Sequence, residues 1–418
     1  MLIIYFRIPM EKTLKRIILV TAYYPYDKGE QFLETEINYY NNIDLTIMPR
    51  FSCDKKKYLP SQVKLDTSIM EKNPKKIKFK YLIKIFTDPH FYKEFSKESF
   101  SSVAKLKVFL FAMYRYRMYY EKFDKYFATL DNTSQIIIYT YWHDTASYAL
   151  QTLKSKYGYK LISRIHGGDL YKERYLFQYL PLKKQFTENI DTLFTITESA
   201  NTYLKEVYGF NTEKLRLSRL GVKDNKITSE PSKEGKFYIV SCSFLTEVKQ
   251  VDKLIYAIHE LATIHRDISF SWKHIGTGGL FKKLKELAQK ELGHLDNIVY
   301  EFLGHYPNAK VYDFYQKNPI DVFINVSSSE GVPVSIMEAM SCHIPIVAPD
   351  IGGIRDMVEN NKNGILLNAS YTIQEIVLAL ENIEFFKKNE VREYSYKVYC
   401  AKYDADKNYP IFIKELIN

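Results

Sequence analysis

Two glutamates eight positions apart, Glu330 and Glu338, stand in the stretch SSSEGVPVSIMEAMSCHIPIVAPDIGG, Ser327 to Gly353. A carboxylate only accepts hydrogen bonds, so each suits a pair of hydroxyls. Gly331 lets a backbone approach a ligand with no Cβ in the way. Pro333 suits the first turn of a helix, where a missing N–H costs nothing. The free N–H groups of Val334 and Ser335 would then face an anion, favoured by the helix dipole. Two polyol-binding carboxylates flanking an anion-binding helix end describe a site for a sugar, a diphosphate and a ribose, the parts of a nucleotide-sugar.

Such groups need a rigid support. The run DVFINV (Asp321 to Val326) before them reads as a buried parallel strand, and IPIVA (Ile344 to Ala348) after them as another. Val334, Ile336, Met337 and Met340 supply the apolar faces of a helix between the two. Open α/β sheets bind ligands at the carboxyl ends of their strands, which is where this unit puts its glutamates.

The stretch resembles the Glu, seven residues, Glu motif of retaining glycosyltransferases of family 4, which have the GT-B fold. The match runs through Glu330, Gly331, Pro333, Glu338, Ala339, Met340, Pro345, Gly352 and Gly353. It departs at His343, where the family usually has a small residue, commonly Gly. The resemblance implies that Glu330 contacts hydroxyls of the donor sugar and Glu338 the ribose. Gly331, Val332, Pro333, Val334 and Ser335 are expected to bind the donor between them.

At 418 residues, 46% of them hydrophobic, the chain should be globular with about two or three domains. Cys53, Cys242, Cys342 and Cys400 show no metal-ligand spacing, and a reducing, cytoplasmic setting fits them. No apolar run approaches the length needed to span a bilayer. The start, MLIIYFRIPMEK, lacks a cleavage-site pattern, and Met10 offers a second start running directly into a strand. The net charge is +10, and its distribution is uneven: Arg50 to Leu130 holds 19 basic and 8 acidic residues, +11, against 40 and 41 elsewhere, −1. This insert mixes Lys with aromatics, as in KKIKFKYLIKIF, and helices are expected in its second half. Basic patches suit anionic partners. An anionic membrane surface is the expected one, set against helices that merely show a solvated basic side. Nucleic acid is not expected, because no recognisable nucleic-acid module accompanies the charge.

Taken in order, Arg16–Ala22 reads as the first strand, followed by a loop with Gly29 and Glu30 and a helix from about Gln31. Further strands are expected at Asp44–Arg50, Ile136–Thr140, Lys160–Ile165 and Thr192–Thr197. After the linker Lys223–Lys236 come Phe237–Cys242, Ile268–Ile275, Tyr300–His305 and Asn363–Leu367. By resemblance, Gly29 belongs to the loop approaching donor and acceptor, and His166, in RIHGGDLY, contacts the donor sugar. Lys249 binds the donor phosphates, and Gly304 lies where the family places the base. Phe244 occupies the position where the family often has a phosphate-binding Arg, and Arg164 is the expected substitute. GTGG, Gly276 to Gly279, is by itself a weak phosphate-loop signal. Asp404–Ala405–Asp406 resembles a metal-binding pair, but no metal site is expected there.

The fold expected is GT-B, with two Rossmann-like α/β domains facing a cleft. Residues 1–222 would form an acceptor domain carrying the insert 50–130, 223–236 the linker and 237–399 the nucleotide-sugar domain. A helix at 400–418 would cross back to the first. The resemblance implies transfer of a hexosyl group with retention, without metal or other cofactor, for a cell-surface polysaccharide such as capsule, O-antigen or exopolysaccharide. The partners would be a nucleotide-sugar and a sugar or lipid-linked acceptor, with the protein peripheral on the inner face of the cell membrane. The rivals are a nucleotide-sugar epimerase of related fold and a non-catalytic scaffold for another transferase. Phe244 favours the scaffold; Glu330, Glu338, His166 and Lys249 oppose it.

Overall fold

The computed structural model describes residues 15–26, 30–71, 79–94, 98–175 and 177–418. Gly29 and Lys75, Lys76 and Lys78 of the basic insert lie outside them.

The first sheet contains β1 (Arg16–Thr21), β2 (Asp44–Pro49), β3 (Lys64–Leu65), β4 (Ile136–Thr140), β5 (Lys160–Ile165), β6 (Thr192–Thr195) and β7 (Leu215–Leu217), in the order β3-β2-β1-β4-β5-β6-β7. The second contains β8 (Lys236–Cys242), β9 (Ser269–Ile275), β10 (Ile298–Gly304), β11 (Val322–Ile324), β12 (Ile346–Pro349) and β13 (Gly364–Leu367), in the order β10-β9-β8-β11-β12-β13. Every strand pairing in both sheets is parallel. That arrangement explains the unbroken apolar runs: helices cover both faces of a parallel sheet, so Ile17, Ile18 and Leu19 are all fully buried although they alternate in direction.

The expected strands all occur, with ends displaced by no more than two residues. β11 stops two residues early, at Ile324, because the Asn325 side chain turns back to accept the Ser327 N–H at 2.9 Å. β3 and β7, two and three residues long, carry too little pattern to be read from sequence. The Pro- and Gly-containing run before β8 forms no helix or strand, yet it is packed down. Ser232 donates its N–H to Asp321 at 2.8 Å, and Arg392 reaches the carbonyls of Ser229 and, at 2.9 Å, Ile320.

The basic insert is partly internal. Its helix Val103–Phe127 buries Phe109, Met113, Tyr116, Tyr119, Phe123 and Phe127 in one core with Ile138 and Leu161 of the sheet. Several cations are committed to ion pairs: Arg50–Asp144 at 2.7 Å, Arg115–Glu71 at 2.9 Å, Arg117–Asp88 at 2.9 Å and Lys84–Glu121 at 2.6 Å. Ile83, Phe86, Tyr92 and Phe111 stay exposed.

Two chain segments join the halves and lie side by side. Val222 donates its N–H to Tyr403 at 3.0 Å, and Ala405 donates to Val222 at 3.1 Å. Gly221 has no room for a side chain, since a Cβ would lie 2.7 Å from the Ala405 nitrogen. Asp404 caps the helix Ala405–Ile417, accepting from Asp406 N–H at 3.0 Å, and Asp406 accepts from Tyr39 at 2.5 Å. These aspartates therefore serve the helix start, and among the described residues no group of three metal-ligating side chains forms. The helix then docks Phe412, Ile413 and Leu416 among Ile17, Tyr139 and Ile162 of the first sheet. Replacing a fully buried phenylalanine by alanine typically costs about 3–5 kcal/mol. Phe412→Ala should accordingly lower the melting temperature by several degrees, and an unchanged melting curve would show that this docking contributes little.

Candidate functional site

In each sheet the strand order reverses beside the first strand of its half, between β1 and β4 and between β8 and β11. Ligands bind in the crevice outside the carboxyl ends of strands at such a switch point. The loops after these four strands, with the loop after β5, carry the site.

In the second sheet, the loop after β8 brings Lys249 to Glu330 from the loop after β11. Nζ lies 2.5 Å from Oε1, which also accepts from Ser327 Oγ at 2.7 Å and Asn325 Nδ2 at 3.3 Å. All three donors converge on one oxygen, and among the described residues Oε2 has no protein donor. The early end of β11 thus has a purpose: Asn325 and Ser327 are free to orient the carboxylate. Gly276 and Gly278 press against the backbones of Ser243 and Leu245, bracing the loop that carries Lys249. GTGG is a packing device.

The helix of this unit runs Val334–Ser341 with Pro333 just before it, ψ 122°. Its first N–H groups, those of Val334 and Ser335, have no intrahelical acceptor. Gly353 donates its N–H to the Gly331 carbonyl at 2.7 Å, and a side chain on Gly352, φ +52°, would strike the Glu330 carbonyl. The two distant glycines therefore clamp the loop Glu330–Gly331–Val332. His343, at φ +61°, occupies a conformation that favours glycine, and its ring stacks on Tyr396 at 4.1 Å.

Glu338 faces inward and is 5% exposed. Asn308, at the start of the helix Asn308–Lys317 that follows Gly304, donates its amide to Glu338 Oε1. Burial pushes the Glu338 carboxyl up to about 7, opposed by the Asn308 hydrogen bond. Burial, with Glu338 nearby, also pushes the Cys242 thiol up to about 12, so it stays protonated. Gly304 ends β10 with φ +74° and adjoins Gly276, whose N–H reaches its carbonyl at 2.8 Å.

The first sheet faces this site with His166. Its ring lies against Tyr141 and Trp142, centroids 4.5 and 4.7 Å away, and is 8% exposed. Among the described residues neither ring nitrogen has a hydrogen-bond partner. Burial, then the nearby Arg164 charge, holds the imidazole well below its usual range, so it is neutral, with one donor and one acceptor to offer. A buried unpartnered pair of this kind leaves hydrogen-bonding capacity open toward the cleft. Asp169 ties the surrounding loops together, accepting from the N–H groups of His166 and His143 at 2.7 Å each. Across the cleft, the Gly167 and Gly331 loops touch: a Cβ on Gly167 would lie 3.1 Å from the Gly331 Cα.

Arg164 is not part of the site. It is fully buried behind β5, pairs with Glu36 at 2.5 Å and lies 3.9 Å over the Phe412 ring. Side chains two apart on a strand share a face, and the face of β5 that carries Ile162 packs on the C-terminal helix, so Arg164 is held under Phe412 within the strand rather than at its end. Phe244, 58% exposed in the loop after β8, brings no charge. The residues missed from the sequence are the ones that hold others: Asn308, Asn325, Ser327 and Trp142. Glu30 is a further one, accepting from Trp142 Nε1 at 2.7 Å and from three consecutive N–H groups, those of Ala22, Tyr23 and Tyr24, at 2.7–2.8 Å. A single polar side chain with no repeat carries no signal of a long-range partner.

Residues 222–397 match the family described as glycosyl transferases group 1. Over 195 residues, 44% of this chain and 36% of the relative, the sequence is 30% identical to the GtfA subunit of a UDP-N-acetylglucosamine–peptide N-acetylglucosaminyltransferase from Streptococcus agalactiae. Over 214 residues, 50% of this chain and 51% of the relative, it is 28% identical to a putative colanic acid biosynthesis glycosyltransferase, WcaL, from Escherichia coli. The chain thus spans between about a third and a half of the length of these curated relatives. The solved structure of the lipopolysaccharide outer core galactosyltransferase WaaB superimposes with a TM-score of 0.67 at 15% identity, covering 96% of this chain and 99% of that one. The fold is GT-B.

The raised Glu338 carboxyl has a thermodynamic consequence. The folded protein keeps this proton up to about pH 7, whereas the unfolded chain releases it near the ordinary value of 4.5. Between those values the folded state binds more protons, so this group's contribution to stability falls as pH rises through the window. Glu338→Gln should flatten the decline in melting temperature between about pH 5 and pH 7 relative to the parent. Parallel curves would show that Glu338 titrates normally.

Proposed function

We propose that this protein is a retaining glycosyltransferase of family 4 type, moving a hexosyl group from a nucleoside diphosphate sugar to an acceptor hydroxyl during assembly of a cell-surface polysaccharide. The observation that carries this is the convergence at one switch point of Lys249, Glu330, the open helix start at Val334 and the buried Glu338. Opposite them stands a neutral His166 whose ring nitrogens have no partner among the described residues. The names of the relatives, one a UDP-N-acetylglucosamine-dependent transferase and one assigned to colanic acid, agree with it.

In this mechanism Glu338 and Asn308 hold the ribose. The N–H groups of Val334 and Ser335 and the Lys249 ammonium face the diphosphate. Glu330 Oε2 and His166 take sugar hydroxyls. The bond from the anomeric carbon to the phosphate oxygen breaks with its electron pair going to the diphosphate. The acceptor oxygen bonds to the same face of that carbon, and its proton passes to the departing phosphate oxygen. The chief requirement is stabilisation of charge developing on the leaving group, by fixed donors that need no reorganisation. No metal takes part in this scheme.

Incubation of the purified protein with a panel of nucleotide-sugars, reading nucleoside diphosphate release, tests the proposal; the absence of both transfer and hydrolysis would favour the scaffold alternative that Phe244 suggests. Loss of a charged hydrogen-bonding partner is worth about 1.5–3 kcal/mol, so Glu330→Ala should lower turnover at least about tenfold without unfolding the protein. Near-normal turnover would remove Glu330 from the mechanism.

We also infer that the first half docks on an anionic membrane face and takes a lipid-linked acceptor there. Among the described residues no helix is long and apolar enough to cross a membrane, so attachment would be peripheral. The exposed Ile83, Phe86, Tyr92 and Phe111, beside an insert of net +11, suit headgroup depth. Each Lys or Arg near such a surface contributes about 1 kcal/mol, screened by salt. Binding to anionic liposomes should fall with rising salt and weaken when Lys75, Lys76, Lys78 and Lys80 become Gln, or when Phe86 and Tyr92 become Ser. Indifference of the parent protein to such liposomes at low salt would refute the docking.

A further inference from the structure

A departing nucleoside diphosphate carries between two and three negative charges in neutral water, and the site described so far offers it little net positive charge. Lys249 is the only side-chain cation assigned to it, and that charge is offset by Glu330 at 2.5 Å. Phe244, on the same loop, is exposed and apolar.

A second cation does reach the site, from the other half of the molecule. Arg174 ends the short turn Lys172–Arg174 that follows the Gly167–Leu170 helix. Its guanidinium crosses the cleft and donates from Nε to Ser329 Oγ at 2.9 Å, one residue before Glu330. Nη1 lies 2.6 Å from the place a Cβ would take on Gly167 and 4.0 Å from the corresponding place on Gly331. The guanidinium thus sits over the contact between the two loops that carry His166 and Glu330, and only a residue without a side chain at 167 leaves it that place. It lines an open cleft of about 310 Å³ together with Tyr171, Ser328, Glu330, Gly352 and Arg355. The neighbouring charges there already have partners: Glu173 accepts from Tyr203 at 2.6 Å, and Arg355 pairs with Asp350 at 2.9 Å. The hydrogen bond of Arg174 is to a neutral hydroxyl, and its outer nitrogens remain to form a fork of the kind that fits phosphate.

We propose that Arg174 is a further donor-binding residue, whose guanidinium takes the sugar-side phosphate of the nucleoside diphosphate in place of the cation that Phe244 does not supply. This rests on the glycosyl-transfer function proposed above. Because the arginine comes from the first half and the rest of the phosphate site from the second, a bound diphosphate would also join the two.

Affinities of parent, Arg174→Gln and Arg174→Lys are measured by titration calorimetry with nucleoside diphosphates of each common base and the matching monophosphates. The residue is exposed, so the variants should keep the parent's melting temperature. Arg174→Gln should weaken binding of the preferred diphosphate about tenfold or more while leaving the monophosphate within about twofold. Arg174→Lys should restore only part of the loss, because an ammonium cannot fork. An unchanged diphosphate affinity overturns the proposal, as does an equal loss for diphosphate and monophosphate. So does a variant whose only defect is a raised KM for the acceptor, which would place Arg174 on an acceptor phosphate instead. If the parent binds no nucleoside diphosphate at all, the glycosyl-transfer function itself fails; a parent that binds one while Arg174→Gln binds it equally well overturns the role of Arg174 alone.

Discussion

The cleft exists because the last helix returns to the first sheet, and what holds that helix is a buried charge. Arg164, fully buried in β5, pairs with Glu36 at 2.5 Å and lies 3.9 Å over Phe412. Its Nη2 reaches Ser218 Oγ at 3.3 Å, and Tyr40 donates to the other Glu36 oxygen at 2.9 Å. An unpaired guanidinium would be prohibitively costly there, so the helix Phe32–Glu36, β5, the chain after β7 and the C-terminal helix must all be in place together. The second tie is the pairing of Val222 with Tyr403 and Ala405, which binds the outgoing and returning chain into one connection. Two halves joined this way can change their separation only by bending that connection.

The candidate site residues sit where the two sheets present their switch points to each other. Each switch point is closed by one carboxylate: Glu330 gathers Lys249, Ser327 and Asn325, and Glu30 gathers three N–H groups and Trp142. Trp142 then packs on His166, so the position of the imidazole in the cleft depends on a residue far from it in sequence. The loops are fixed by packing as well as by charge, since Gly352 and Gly353 press on the Glu330 loop from behind and Gly167 meets Gly331 in front. Preorganised donors of this sort are effective because they do not have to move when charge develops.

The fold, and the strand–loop–helix unit that carries the candidate site, were largely legible in the sequence. Parallel strands buried on both faces write themselves as unbroken apolar runs, so β1, β2, β4 and β8 stand out from polar surroundings. Glu330 and Glu338 were legible because one short unit of strand, loop and helix contains both and fixes their spacing. The basic insert was legible as charge but not as surface. Arg115 and Arg117 of its long helix proved to be partners of Glu71 and Asp88, because composition does not say which side of a helix a cation occupies.

By itself, then, the sequence determined what is local: the period of each strand, the glycine and proline that open the Glu330 loop, and the carboxylates set on either side of a helix start. Only the tertiary structure decided which distant side chains meet them. Arg164, two residues before His166, is drawn inward to Glu36 and Phe412 and becomes the anchor of the C-terminal helix, while Arg174, on a turn of no evident pattern, reaches across to Ser329. Asn308 finds Glu338 because β10 delivers the following helix beside it. Local spacing is encoded in the geometry of a single element, whereas these contacts depend on strand order and on how two sheets are held against each other, and no periodicity in the chain records either.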